Sequence, residues 1–329
     1  MDNIKLFEKL INQKKIFDAE LEKVIIGQKD VLQFIFIALL CRGHILLEGV
    51  PGLGKTLIIK TISDILKLNF SRIQFTPDLM PSDITGTEII AQDINTGQRN
   101  FKFIKGPIFS NIILADEINR TPPKTQSALL EAMQENSVTI GVETHNLDRP
   151  FFVLATQNPI EQEGTYPLPE AQVDRFMFKV LVDYPNSDEE LQILDRMGKI
   201  KVSYQQNVVA NPKHIISARK LIDQIHIAYN IQQYIVSLVL ATRKPEDYGL
   251  NDLQTFISLG ASPRATIFLA TASKAHAFLN NRGYVIPEDV RAVGKAIMRH
   301  RIILTYEAEA EEITTEHIIK RIYESVPMP

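Results

Sequence analysis

The sequence predicts an α/β fold with a parallel central sheet packed between helices, followed by an all-α domain. Three observations lead there. Short, continuously apolar runs at His44–Leu47, Asn111–Ala115 and Phe151–Thr156 are what strands buried on both faces require. Segments of helical periodicity separate them, as the crossovers between parallel strands demand. From about residue 187 onward, helical signals dominate and strand signals become few.

Taken in order, Ile4–Lys23 places apolar residues at helical spacing (Ile4, Leu6, Phe7, Leu10, Ile11, Phe17, Leu21) and reads as amphipathic helix. Val24–Gln28 is a short apolar strand or turn before a helix over Lys29–Cys41. Strand His44–Glu48 runs into a glycine-rich turn and a helix over Leu57–Leu66, and Phe70–Phe75 alternates like a strand. Two β-hairpins follow. The first pairs Glu88–Asp93 with Arg99–Ile104 around the turn Asn95-Thr96-Gly97-Gln98, and the second pairs Ser137–Ile140 with Glu143–Leu147 around Gly141. Between them lie the buried strand ending in Asp116-Glu117 and a helix over Thr125–Glu135. After strand Phe151–Thr156 come the acidic, proline-rich loop Glu161–Glu170 and a last strand Phe178–Val182. A linker at Tyr184–Glu190 closes into a capping box with Ser187 as cap and Glu190 three residues on. The expected domains are therefore residues 1–186 and 187–329. Helices of the second are expected over Glu189–Met197, Pro212–Ala228, Gln232–Thr242, Pro263–Leu279, Pro287–Arg301 and Thr315–Ser325.

The stretch with the most chemistry is Gly49-Val50-Pro51-Gly52-Leu53-Gly54-Lys55-Thr56. It satisfies G-x-x-x-x-G-K-[ST] between a strand and a helix, the setting in which backbone N–H groups and a helix N-terminus cradle phosphates. Lys55 is expected to reach the β- and γ-phosphates and Thr56 to ligate Mg²⁺; the bland alternative is a glycine-rich connection with a solvated lysine. Asp116 and Glu117 end a buried strand, where parallel sheets place their ligands, so Asp116 suits the metal and Glu117 suits a general base for water. Alone, such a strand end is often only the start of a solvated loop. Asn158 ends the next buried strand, as a water-orienting amide or as a turn former before Pro159. Arg264 occupies the first turn of a helix capped by Ser262, where the dipole prefers acids. It is either a phosphate-binding cation or an arginine that is exposed or paired with a nearby acid.

Composition narrows the classes. The chain has 329 residues, 45% apolar and 23% charged, with a net charge of −3, which leaves no overall basic footprint for nucleic acid. One cysteine, Cys41, excludes an internal disulfide and fits a reducing compartment. The apolar run Val31–Cys41 is too short to span a bilayer, and the N-terminus has no signal-peptide pattern, so a cytoplasmic protein is expected. The seven histidines are scattered and form no metal cluster with the cysteine.

These motifs, in this order, resemble the AAA+ ATPases and within them the MoxR family. The resemblance rests on Gly49–Thr56, Ile112–Lys124, Gln126–Glu135, Ala155–Pro159, Glu161–Phe176 and Gly260–Ala265, covering most of residues 24–185 and one helix start beyond. It implies a three-layer αβα P-loop NTPase domain and a C-terminal helical lid domain. It also implies ATP/ADP and Mg²⁺ as cofactors. Gly49–Thr56 and Leu57 correspond to Walker A, Asp116 and Glu117 to Walker B, Asn158 to sensor 1 and Arg264 to sensor 2. Arg175 in Asp174-Arg175-Phe176 corresponds to an arginine finger acting on a neighbouring subunit. Ile25 and Ile26 in Val24–Gln28 line the adenine pocket. The hairpins, about residues 86–106 and 137–147, match the helix-2 insert and the pre-sensor-1 hairpin. Relatives form hexameric rings and remodel client proteins, commonly with a von Willebrand factor A-domain partner. In this branch the lid is displaced, so whether Arg264 serves its own or a neighbour's nucleotide stays open. Rival expectations are a nucleic-acid motor, disfavoured by charge and by the lack of zinc or helix-turn-helix signatures, a metal-chelatase ATPase subunit, and a nucleotide-gated scaffold without turnover.

Overall fold

The computed structural model describes residues 2–50, 52–92, 99–158, 164–198 and 206–329. The chain opens with α1 (Asp2–Glu22), a single helix that turns Leu10, Phe17 and Leu21 inward. Val24–Gln28 forms a turn instead of a strand, and leads into α2 (Lys29–Leu40). Next come β1 (Ile45–Glu48), α3 (Lys55–Ile65), β2 (Phe70–Gln74) and the short α4 (Pro81–Thr85). The first hairpin is β3 (Gly86–Gln92) with β4 (Arg99–Lys105), in register from Gly86 opposite Lys105 to Gln92 opposite Arg99. Its expected turn at Asn95–Gln98 lies outside the described residues. Then follow β5 (Ile112–Asp116), α5 (Pro123–Glu135), and the second hairpin, β6 (Ser137–Ile140) with β7 (Glu143–Asn146). The hairpins lean on each other through the ring of Phe103 stacked on His145, with centroids 4.5 Å apart. The sheet resumes with β8 (Phe152–Gln157), passes through α6 (Glu170–Val173) and ends at β9 (Phe178–Leu181).

The five-stranded sheet is parallel throughout, in the order β2-β5-β8-β1-β9. Ile112, Ile113, Leu114 and Ala115 on β5, like Val153, Leu154 and Ala155 on β8, are fully buried, which is why those runs are apolar without alternation. One core covers one face of the sheet together with the α1–α3 helices, and a second lies beneath α5 on the other face.

The later part of the chain comprises α7 (Ser187–Met197), α8 (Pro212–Asp223), α9 (Tyr229–Ala241), β10 (Ile257–Leu259), α10 (Pro263–Leu279), α11 (Pro287–Met298), β11 (Ile303–Leu304), α12 (Tyr306–Ala310) and α13 (Thr315–Ser325). Three expectations need correction. The capping box sits one residue early: Asn186 accepts the Glu189 amide at 3.0 Å and the Glu189 carboxylate accepts the Asn186 amide at 3.0 Å, so Ser187 is the first helical residue. The helix expected over Pro212–Ala228 ends at Asp223, because His226 pairs with the Gly283–Val285 strand-like segment. The helices are also joined by an antiparallel pair, β10 with β11, too short to carry a periodicity. Helix α1 packs against this part, with Phe7 edge-on to Phe278 at 5.1 Å, and its residues share one hydrophobic core with α8–α11.

His44 shows how tightly the packing around the sheet is specified. Its buried ring accepts the Val153 amide on Nδ1 at 3.0 Å and donates from Nε2 to the Met133 carbonyl at 3.2 Å, a pattern open only to the neutral tautomer. Burial accordingly pushes its pKa down to about 4. The unfolded chain then binds the extra proton as pH drops below the ordinary histidine value, so folding stability falls on acidification. We expect His44 to cost about 3 kcal/mol between pH 6.5 and 4, since each unit of depression is worth about 1.4 kcal/mol. Urea unfolding across that range should show a shallower acid slope for His44→Gln than for the wild type; equal slopes would remove His44 as a source.

Candidate active site

The glycine-rich turn leaves β1 at its carboxyl end, flanked by β8 and β9. Gly54 caps α3 with φ +71°, a left-handed conformation that glycine adopts without strain. Gly49 passes so close to β9 that an added Cβ would lie 2.6 Å from the Val182 carbonyl oxygen. These constraints aim the N-terminus of α3 across a cavity of about 440 Å³ beyond the strand ends. Gly49, Gly52, Leu53, Gly54, Lys55, Thr56 and Leu57 line it from the turn, Asp116 and Glu117 from the end of β5, and Thr156, Gln157 and Asn158 from the end of β8. Val50 does not line it, and Pro51 lies outside the described residues.

Lys55 donates to the Gly49 carbonyl at 2.5 Å. Partial burial pushes its ammonium below the usual lysine value, while Asp116, Glu117 and Glu48 pull it back. Asp116 accepts the Thr156 hydroxyl at 2.6 Å on one oxygen and Arg72 at 2.6 Å on the other. The Thr156 hydroxyl in turn accepts the Glu117 amide at 2.9 Å. Glu117 itself has φ 57° and ψ 50°, a left-handed conformation uncommon outside glycine and concentrated at functional sites. Its carboxylate accepts Gln74 Nε2 at 2.8 Å and pairs with Arg120 at 3.2 Å. Sequence reasoning missed Arg72, Gln74, Arg120 and Thr156. Arg72 and Gln74 occupy alternate positions of β2, and only the pairing of β2 with β5 puts them against Asp116 and Glu117.

Among the described residues, no group of three or more His, Cys, Asp or Glu side chains is arranged to hold a metal. A hydroxyl and one carboxylate, from Thr56 and Asp116, are nevertheless the oxygen donors that suit Mg²⁺ when phosphates and water supply the rest. Next to the 440 Å³ cavity, a smaller apolar one of about 130 Å³ is lined by Ile25, Ile26, Leu53 and Leu57 on one side and Ile193 and Met197 of α7 on the other. Gln28 ties its edge to the loop by donating to the Leu53 carbonyl at 3.1 Å. Apolar walls beside a phosphate cradle suit a flat heteroaromatic base.

Comparison with known proteins agrees with this geometry. Residues 44–178 match the ATPase family associated with various cellular activities (AAA), and residues 252–322 match the AAA lid domain. The chaperone MoxR1 of Mycobacterium tuberculosis is 45% identical over 94% of this chain and 81% of its own length. The chain belongs to the MoxR family of AAA+ ATPases. Protein MoxR of Paracoccus denitrificans is 30% identical over 95% of both chains. A crystal structure of a candidate ATPase from Cytophaga hutchinsonii superposes with a TM-score of 0.93 at 49% identity, covering 99% of this chain and 97% of that one.

In this MoxR-family ATPase the two remaining arginines stand apart from the phosphate cavity: neither Arg175 nor Arg264 lines it. Arg264 Nη1 lies 3.3 Å from Asp174, with its side chain 43% exposed. Arg175, next to Asp174 in sequence, donates from Nη1 to the Leu130 carbonyl at 2.9 Å, and its buried Nε has no hydrogen-bond partner among the described residues. No helix among the described residues is long and apolar enough to cross a membrane.

Proposed function

We propose that this MoxR-family protein hydrolyses ATP to ADP and phosphate in an Mg²⁺-dependent reaction, as a ring-forming, chaperone-like remodeller that helps protein complexes assemble. The observation that carries the chemistry is the convergence of Lys55, Thr56, Asp116, Glu117 and Asn158 on one cavity at the ends of parallel strands. The observation that favours assembly is that neither Arg175 nor Arg264 lines the cavity of its own chain, while the Arg264 side chain is 43% exposed.

In this reading Lys55 and the α3 amides bind the phosphates, and Thr56 and Asp116 would hold Mg²⁺, which would supply neutralising positive charge there. Asn158 orients the attacking water and Glu117 accepts its proton. Glu117 first has to turn away from Gln74 and Arg120, since both engage the same carboxylate oxygen. Arg175 and Arg264 of the adjoining subunit complete the charge stabilisation. The apolar pocket at Ile25 and Ile26 takes the adenine. Further along the reading are a hexameric ring, a cytoplasmic setting, a client protein and a von Willebrand factor A-domain partner.

A phosphate-release assay tests the enzymatic core. We expect turnover that disappears on chelation and returns with Mg²⁺, and that rises more than linearly with protein concentration as subunits assemble. Absence of turnover at any concentration would leave the nucleotide-gated scaffold. Stimulation by DNA with a steep salt dependence would instead support a nucleic-acid motor.

A further inference from the structure

We propose that Arg301 is the positioning residue for Arg175 and Arg264, locking the loop that carries one and the helix start that carries the other into a single rigid element. This rests on the reading that the two arginines act on a neighbouring subunit's nucleotide. Arg301 follows the end of α11, and its side chain is 1% exposed. The Nε donates to the Asp174 carboxylate at 2.8 Å. The Nη2 donates to the carbonyls of Asp174 at 2.8 Å and Phe176 at 2.6 Å, the two residues on either side of Arg175. The remaining fork donates to the carbonyls of Ile297 and Met177, and the guanidinium plane rests over the Phe268 ring of α10.

A buried guanidinium with its donors satisfied in this way specifies a geometry more than it adds stability. Here most of that geometry belongs to the backbone around Arg175. The far side of Asp174 completes the element. Ser262, the cap of α10, donates to both carboxylate oxygens at 2.9 and 3.0 Å, and Arg264 approaches one of them at 3.3 Å. Arg264 has the longest of these contacts and a side chain 43% exposed, so it is the member free to exchange Asp174 for an incoming phosphate. Among the described residues Arg175 has no ion-pair partner, so its aim depends on how its backbone is held.

The substitution Arg301→Lys keeps a positive charge for Asp174 but replaces a planar fork of five donors by three on one nitrogen, which cannot span the same carboxylate and carbonyls. We expect kcat for ATP to fall roughly ten- to a hundredfold, because misplacing a catalytic group by about an ångström costs that much. The KM for ATP, the affinity for a fluorescent ADP analogue and the thermal midpoint should stay close to wild type. Mixing Arg301→Lys with Lys55→Ala should restore turnover, since each Lys55→Ala subunit presents an intact finger. A fall in activity that only tracks the folded fraction, a change confined to KM, or no recovery in that mixture while Arg175→Ala with Lys55→Ala does recover, would overturn the assignment. If the Arg175→Ala mixture also fails to recover, the reading in trans falls and Arg301 loses its role with it. Should Arg301→Lys fail to fold, Asp174→Glu, which keeps the ion pair and shifts the carboxylate by one methylene, is read against the same outcomes.

Discussion

Replacing Glu117 by Gln is expected to leave nucleotide binding intact and to lower turnover by about a hundred- to ten-thousandfold, the usual contribution of a positioned general base. Gln is isosteric and tolerates the left-handed backbone at this position about as well as Glu does. It can still meet Gln74 and Arg120 through its amide oxygen, so the cavity keeps its shape. What it loses is the capacity to accept a proton from water. The check is an ATP-binding titration beside single-turnover phosphate release. Turnover near wild type would take Glu117 out of the mechanism. The same variant, held in its ATP state, is the reagent for capturing a client, because remodelling that depends on hydrolysis would stall with the client bound.

The second large effect concerns Arg175. Alone, Arg175→Ala should lose about 10³- to 10⁵-fold in kcat, the range of an arginine finger. Lys55→Ala should lose nucleotide binding. Neither variant turns over by itself, but a one-to-one mixture contains sites in which an intact Lys55 faces a neighbour's intact Arg175. In a ring built by one repeated head-to-tail interface, about a quarter of random junctions have that arrangement, so about a quarter of wild-type activity should return. Measuring phosphate release over a series of mixing ratios tests this, since the recovered activity should peak near equal amounts. A flat, inactive series would show that Arg175 does not act across an interface.

Much of the candidate site was legible because its key signal is local. Eight consecutive residues, Gly49–Thr56, carry the phosphate-loop pattern, and the strand before and the helix after are set by their own apolar patterns. The strands ending at Asp116 and Gln157 were legible for the same reason: burial on both faces leaves an unbroken apolar run. Both hairpins were legible from alternation about a glycine-bearing turn, although the first turn lies outside the described residues. Less was legible where two local solutions compete. Val24–Gln28 could be strand or turn, and packing against the loop through Gln28 decides for the turn. Asn186 and Ser187 are both good caps, and only the carboxylate of Glu189 reaching back selects the first.

The class of ligand, the order of the sheet's strands and crossover helices along the chain, and the types of group available for catalysis are written in the sequence, since each depends on residues that are neighbours there. Tertiary structure alone decided which of those groups meet. Arg72 reaches Asp116 across 44 residues because β2 pairs with β5, and Arg301 reaches Asp174 across 127 because the helical part closes back on the sheet. Such contacts have no periodicity and no motif. Their partners are chosen by strand order and by the need to pair buried charge, and both are properties of the folded chain as a whole.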